Sequence, residues 1–212
     1  MNWSSFPASP SVPVVTDASV IINLNATASA AAIISAFPNP FFVTANVRRE
    51  LSMGESRGHR CGERLEALIS QGLLELAELE PGDDPVYRSL VEGGFEGTLD
   101  DGEAATIAYA VGHEGLALID ERKARRICDA RFADLLFAST VEVLFHPLVA
   151  KRLGESDQSE AIFLALRDAR MQVPRQWLQE VIKRIGANRA VECPSLPRAF
   201  RDIRTHPPQR SN

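Results

Sequence analysis

Two short apolar runs in this chain end on an aspartate and pass straight into a helical pattern. They are Val14-Val15-Thr16-Asp17-Ala18-Ser19-Val20 and Leu116-Ala117-Leu118-Ile119-Asp120-Glu121-Arg122. In a parallel α/β sheet, ligands bind beyond the carboxyl ends of the strands. If the two strands are neighbours, two carboxylates aim at one place, and a cation is the usual way to offset their repulsion. Each aspartate also has a local alternative, because an Asp just before a helix accepts hydrogen bonds from its orphan N–H groups. Capping is the better account of one such residue. For two, capping and a shared site stand level.

Two further acids join them. Glu50, in Asn46-Val47-Arg48-Arg49-Glu50-Leu51, belongs to a helix that follows the apolar strand Phe41–Thr44 and starts at the same sheet edge. On spacing alone it reads as a surface glutamate beside an arginine. Glu103 lies in Leu99-Asp100-Asp101-Gly102-Glu103-Ala104. There, Asp100 at the N-cap and Glu103 at N3 form an acidic capping box, and the helix dipole favours acids in a first turn. Taken together, the four make an all-carboxylate cluster. Mg²⁺ and Mn²⁺ prefer such oxygen ligands. They lower the pKa of bound water, and two ions about 4 Å apart stabilise both the attacking and the leaving oxygen of a phosphodiester.

That chemistry needs no histidine or cysteine. His59, His113, His146 and His206 show no ligand spacing, and Cys61, Cys128 and Cys193 form no CxxC pair. The thiols read as reduced, in a cytoplasmic protein, and Cys128 reads as a packing residue within a helix. Beside the second aspartate stand Arg122, Lys123, Arg125, Arg126 and Arg131. Such a run is either a solvated helix face or a phosphate-binding rim next to the metal site. Arg122 and Arg126 are one turn apart and share a side, and Arg48 and Arg49 could add to the rim. The net charge of −5 means that any nucleic-acid contact must be local rather than global. No aromatics interleave with the basic residues, so a base-stacking platform is not indicated.

The elements that would carry these groups alternate. Strands are expected at Val12–Thr16, Phe41–Thr44, Leu73–Leu79, Leu116–Ile119 and Leu135–Ala138. Between them, helices are expected at Ala18–Leu24, Ala28–Ala36, Ala45–Ser52, Glu63–Gln71, Val86–Val91, Asp101–Val111 and Glu121–Ala130. Glu92–Leu99 reads as a glycine-rich loop. Such alternation calls for a parallel sheet with helices on both faces. Further helices follow at Thr140–Leu153, Ser159–Ala169 and Pro174–Ile185. The expected organisation is a flexible tail over 1–12, a main domain over 13–153, a helical appendage over 154–193 and a disordered tail over 194–212. No signal peptide and no run of about 20 apolar residues is present, so no membrane partner is expected.

Two other active-site types fit poorly. A phosphatase using Asp17 as nucleophile would need an aspartate two positions on, where Ser19 stands. A dinucleotide site would need GxGxxG after the first strand, whereas Gly93-Gly94-Phe95-Glu96-Gly97 lies in mid-chain.

Four segments in order, Thr16–Leu24, Val47–Glu50, Leu99–Ala104 and Leu118–Arg125, resemble the PIN-domain superfamily. The nearest likeness is to a PIN-like subgroup related to toxin–antitoxin ribonucleases. The resemblance spans about Val14 to Leu144. It implies a three-layer α/β/α fold with a parallel sheet, to which extra C-terminal helices are added here. It implies an Mg²⁺- or Mn²⁺-dependent endoribonuclease, with RNA as substrate and with a cognate antitoxin and a homodimer as partners. The implied acidic site is Asp17, Glu50, Glu103 and Asp120, with metal on Asp17, Glu103 and Asp120 and with Ser19 supporting the first aspartate. Arg122 and Arg126 would contact phosphates. The chain departs from the common pattern at Glu103 and Lys123, where aspartates are usual. The second reading is therefore a PIN-like module, catalytically weak or inactive, that binds nucleic acid or protein.

Overall fold

Continuous burial along the central apolar runs makes a sheet that needs cover on both sides. In β1 (Val14–Thr16) all three residues are buried, and the next residue, Asp17, starts α1 (Ala18–Ala26). The computed structural model describes residues 6, 9–55, 61–93 and 97–201. His59, His206, Gly94-Phe95-Glu96 and most of the two expected tails lie outside the described residues.

After α1 come α2 (Ala30–Ile34), β2 (Phe41–Thr44), α3 (Ala45–Glu55), α4 (Cys61–Ser70), β3 (Glu75–Ala77), α5 (Asp84–Val91) and α6 (Asp101–Gly112). Then follow β4 (Leu116–Leu118), α7 (Arg122–Arg131), β5 (Leu136–Ala138), α8 (Thr140–Phe145) and α9 (Pro147–Asp168). A 3-10 turn (Arg175–Trp177) leads to α10 (Leu178–Ile185), α11 (Ala187–Ala190) and α12 (Arg198–Arg201).

The five strands form one parallel sheet in the order β3-β2-β1-β4-β5. The central strand β1 sets Thr16 opposite Val43 of β2 and Leu118 of β4. Chain order reverses about β1, so its carboxyl end is the switch point where α/β sheets open a crevice. The Asp17 N–H donates to the Leu118 carbonyl at 3.2 Å, which ties the two strand ends together there.

The two-residue period of the strands divides the core. Val14, Val43, Leu116 and Leu118 pack on one face with Ile21, Leu24, Val47, Leu65 and Leu144. Val15, Ala117 and Ile119 pack on the other with Leu90, Ile107, Ala124 and Ile127. The three-layer arrangement is therefore built by alternate residues of the same strands. The C-terminal helices join the first face, because Ile162, Leu166, Trp177, Val181 and Leu196 belong to the same apolar cluster as Val14.

Element boundaries differ from the sequence expectation where backbone chemistry intervenes. The helix expected over Thr140–Leu153 is broken at His146, whose ψ is 139°, because Pro147 disfavours helical backbone in the residue before it. The helix expected from Ala28 begins at Ala30, since Ala28 sits at φ 57°. Gly154, at φ 79° and ψ 167°, leaves helical geometry and divides α9 into two helical segments, as the separate helices expected on either side of it require. Among the described residues, no helix is long and apolar enough to cross a membrane.

Candidate active site

Four elements deliver carboxylates to one cleft at the carboxyl edge of the sheet, the fourth being the start of α7 with Glu121. Asp17 comes from the end of β1, Glu50 from α3 and Glu103 from the first turn of α6. The cleft has a volume of about 330 Å³, and Asp100, Glu121, Ser19, Thr98 and Lys123 also line it. Gly102 brings α6 close enough for this. A Cβ at that position would fall 2.5 Å from Glu50 Oε2 and 3.7 Å from Asp17 Oδ1. The sequence Gly102-Glu103 thus removes a side chain where two acids meet and adds a third acid beside them.

The local alternatives can now be compared with the geometry. Asp17 occupies the N-cap position of α1 but makes no side-chain capping hydrogen bond. Its Oδ2 instead accepts from the Ser19 hydroxyl at 2.8 Å. Glu50 is not paired with its neighbouring arginines, because Arg48 bonds Glu66 at 2.6 Å and Arg49 faces Asp101 at 3.6 Å. Glu103 does accept from the Asp100 backbone N–H, at 3.3 Å. Capping and cleft lining coexist there, since one carboxylate has two oxygens to offer.

The electrostatics are those of acids short of positive charge. Burial pushes the Asp17 carboxyl up to about 6, with the nearby Asp120 adding to the rise and the Ser19 hydroxyl opposing it. Glu103 is pushed up to about 7, first by burial and then by the charge of Asp17. Glu50 is raised by burial and then by Asp17, Asp100 and Asp101. Desolvation and like charge both act against the ionised forms. A bound cation would reverse the second cause.

Asp120 is near this group but is used differently. Its Oδ1 accepts from the Thr140 N–H at 2.8 Å, and its Oδ2 accepts from Asn23 Nδ2 at 2.7 Å and from the Thr140 hydroxyl at 2.5 Å. The aspartate is 8% exposed and is absent from the residues lining the cleft. It pins α1, β4 and α8 together directly behind Asp17. Asn23 and Thr140 escaped the sequence reading. Their signal was a polar residue inside the apolar run Val20–Leu24 and a Ser-Thr pair directly after the last strand, both of which suggest a buried polar partner.

The basic run beside Asp120 splits by helical position. Arg122 and Arg126 are exposed. Arg125 turns inward, donating to the Ile119 carbonyl at 3.1 Å and stacking over Phe137. Arg131 bonds Ser89. Lys123 alone of the run lines the cleft, and its Nζ donates to the Thr98 carbonyl. Cys128 is buried, and its thiol is pushed up to about 12 by that burial, which leaves no thiolate nucleophile near neutral pH.

As a donor set, Asp17, Glu50 and Glu103 are all hard oxygen ligands suited to Mg²⁺ or Mn²⁺ and unsuited to a thiophilic ion. Among the described residues, no three His, Cys, Asp or Glu side chains stand close enough together to cage an ion in their present positions. The fit lies in ligand chemistry and in the shortage of positive charge, and side-chain rotation of the two glutamates would have to complete it. A family model described as a PIN domain matches residues 13–187. No curated protein and no solved structure matches the chain.

Proposed function

The chain belongs to the PIN-domain family, a nuclease-type fold, and on that premise we propose that it is a divalent-metal-dependent endoribonuclease acting as the toxin of a toxin–antitoxin pair. The observation that carries this reading is the meeting of Asp17, Glu50 and Glu103 in one cleft at the switch point of the sheet.

In this reading Asp17, Glu50 and Glu103 hold the ion. When bound, Mg²⁺ or Mn²⁺ lowers the pKa of a water molecule and offsets charge on the phosphate. The reaction forms one P–O bond from water and breaks one P–O ester bond, and the leaving oxygen takes a proton. Without metal, burial and the charge of Asp17 push Glu103 up to about 7, and a bound cation would favour its ionised, ligating form. Ser19 fixes one oxygen of Asp17 and so orients the other toward the cleft. Asp120, through Asn23 and Thr140, positions α1 and with it Asp17.

Cleavage of single-stranded RNA with Mg²⁺, with Mn²⁺ and with EDTA tests the reading. Wild type is expected to cut only with metal, and Asp17→Asn to lose at least about 10²-fold in rate. Equal cleavage by the two would overturn it. The alternative is a PIN-like binding module without catalysis, favoured by the open arrangement of the acids. RNA binding that is indifferent to metal, with no cleavage of any RNA, would select that alternative. Co-purification of a small co-expressed protein that blocks cleavage is the expected outcome for the antitoxin, and a two-chain mass in solution for the homodimer.

A further inference from the structure

An RNA phosphate entering this cleft meets five carboxylates, those of Asp17, Glu50, Asp100, Glu103 and Glu121. Charge repulsion opposes that approach unless positive charge stands on the phosphate's own side. Lys123 is the one cationic side chain among the described residues that line the cleft. Among the described residues, no salt bridge joins it to any of the acids. Its Nζ is held instead by a neutral acceptor, the Thr98 carbonyl. An ammonium has three donors, so two remain for another acceptor.

The site is shaped around that ammonium. Gly97 stands at φ 89°, and a Cβ there would lie 3.2 Å from Lys123 Cε and 3.3 Å from Nζ. The backbone of 97–98 therefore makes room for the lysine tip and anchors it. A side chain fixed in this way needs little reorganisation to bind an anion. Arg122 and Arg126 lie on the same helix, but both are exposed and line no part of the cleft.

We propose that Lys123 is the phosphate-binding residue of this cleft, donating hydrogen bonds to non-bridging oxygens of a single-stranded RNA at the position facing Asp17. The proposal rests on the reading of the cleft as a ribonuclease site. The test is equilibrium binding of a fluorescent single-stranded RNA in EDTA across a salt series. Wild type is compared with Lys123→Met, Lys123→Arg and the double variant Arg122→Ala/Arg126→Ala, and the fold of each is checked by its melting curve. Lys123→Met is expected to bind about tenfold more weakly, the loss of one charge-assisted hydrogen bond. Its slope of log affinity against log salt should be shallower by about 0.7, one phosphate contact fewer on a single strand. Lys123→Arg should keep most of the affinity and the slope. The double variant should lose less affinity than Lys123→Met.

Affinity and slope unchanged in a folded Lys123→Met would overturn the proposal while leaving the nuclease reading intact. Wild type that binds RNA through Lys123 but never cleaves it with metal would overturn the nuclease reading alone. Wild type that binds no RNA overturns both.

Discussion

Asp17 and Asp120 come from the same local pattern, an apolar parallel strand running through an aspartate into a helix, and they end as opposites. Both are buried, at 3% and 8% exposure. Asp120 is surrounded by donors, with three hydrogen bonds from Asn23 and Thr140 filling both of its oxygens. Asp17 receives one side-chain donor, Ser19, and looks across the cleft at two more acids. A buried carboxylate ringed by donors from remote elements holds those elements together, whereas one that has only local donors and faces other acids is destabilised by their like charge. The two positions thus divide one motif into a tether, Asp120, and a cleft-lining acid, Asp17.

The largest effect should separate them directly. Asp17→Asn is expected to abolish metal-dependent cleavage while making the metal-free protein more stable near pH 8, by about 1–2 kcal/mol, because it removes an acid that resists ionisation in the fold. Burial raises Asp120 as well, but its hydrogen bonds from Thr140 and Asn23 oppose that rise, so Asp120→Asn should do the reverse to stability. An amide nitrogen cannot accept from the Thr140 N–H or from Asn23, so a loss of about 2–3 kcal/mol is expected. Calorimetry of both variants in EDTA checks this. A stabilised Asp120→Asn or a strongly destabilised Asp17→Asn would break the distinction.

A smaller effect concerns pH. Asp17 and Glu103 titrate at about 6 and about 7 in the fold, against ordinary values of 3.8 and 4.5. Folded-state values above unfolded ones mean that their contribution to stability is full below about pH 4 and is lost as pH rises through 6 to 7. The melting-temperature advantage of Asp17→Asn/Glu103→Gln over wild type in EDTA should therefore be near zero at pH 4 and reach its maximum by about pH 7.5. Saturating Mg²⁺ should raise the wild-type melting temperature at the upper end of that window and leave the double variant unmoved. An advantage that shrinks with rising pH would contradict the assignment.

The smallest effect refines the cleft side of the comparison. Gly102→Ala places a methyl group against Glu50 Oε2 and, at 3.2 Å, against Val47. The end of a glutamate can swing aside, so stability should change by no more than about 1 kcal/mol. The displaced Glu50 should weaken Mn²⁺ binding by about tenfold, read by titration calorimetry. Unchanged metal affinity would remove Glu50 from the ligand set.

Much of this was legible along the chain. Short apolar strands, helices between them and aspartates at strand ends are local facts, and the parallel sheet follows from them, whereas spacing alone left Glu50 a surface residue and Glu103 a cap, and the family resemblance grouped them with Asp17. The capping box at Asp100 and Glu103 was equally visible, and it is present without removing Glu103 from the cleft. The basic run after Asp120 was less legible. Helical spacing groups Arg122 with Arg126, yet it cannot say which side of α7 faces the acids, and it is Lys123 that does. In the same way, Pro147 marked a helix break by its own chemistry, whereas the contact between Trp177 and Phe145, with ring centroids 5.1 Å apart, joins elements distant in sequence.

The sequence by itself determined the α/β alternation, the acids at the sheet edge and the absence of any need for histidine or thiol chemistry, because these depend on residue type and short-range periodicity. The tertiary structure alone decided that Asp120 is bound by Asn23 and Thr140, that Gly102 makes room for Glu50, and that Lys123 is held at the mouth of the cleft. Each of those depends on which atoms of remote elements come within hydrogen-bonding or van der Waals reach, and strand order and packing fix that reach only once the chain has folded.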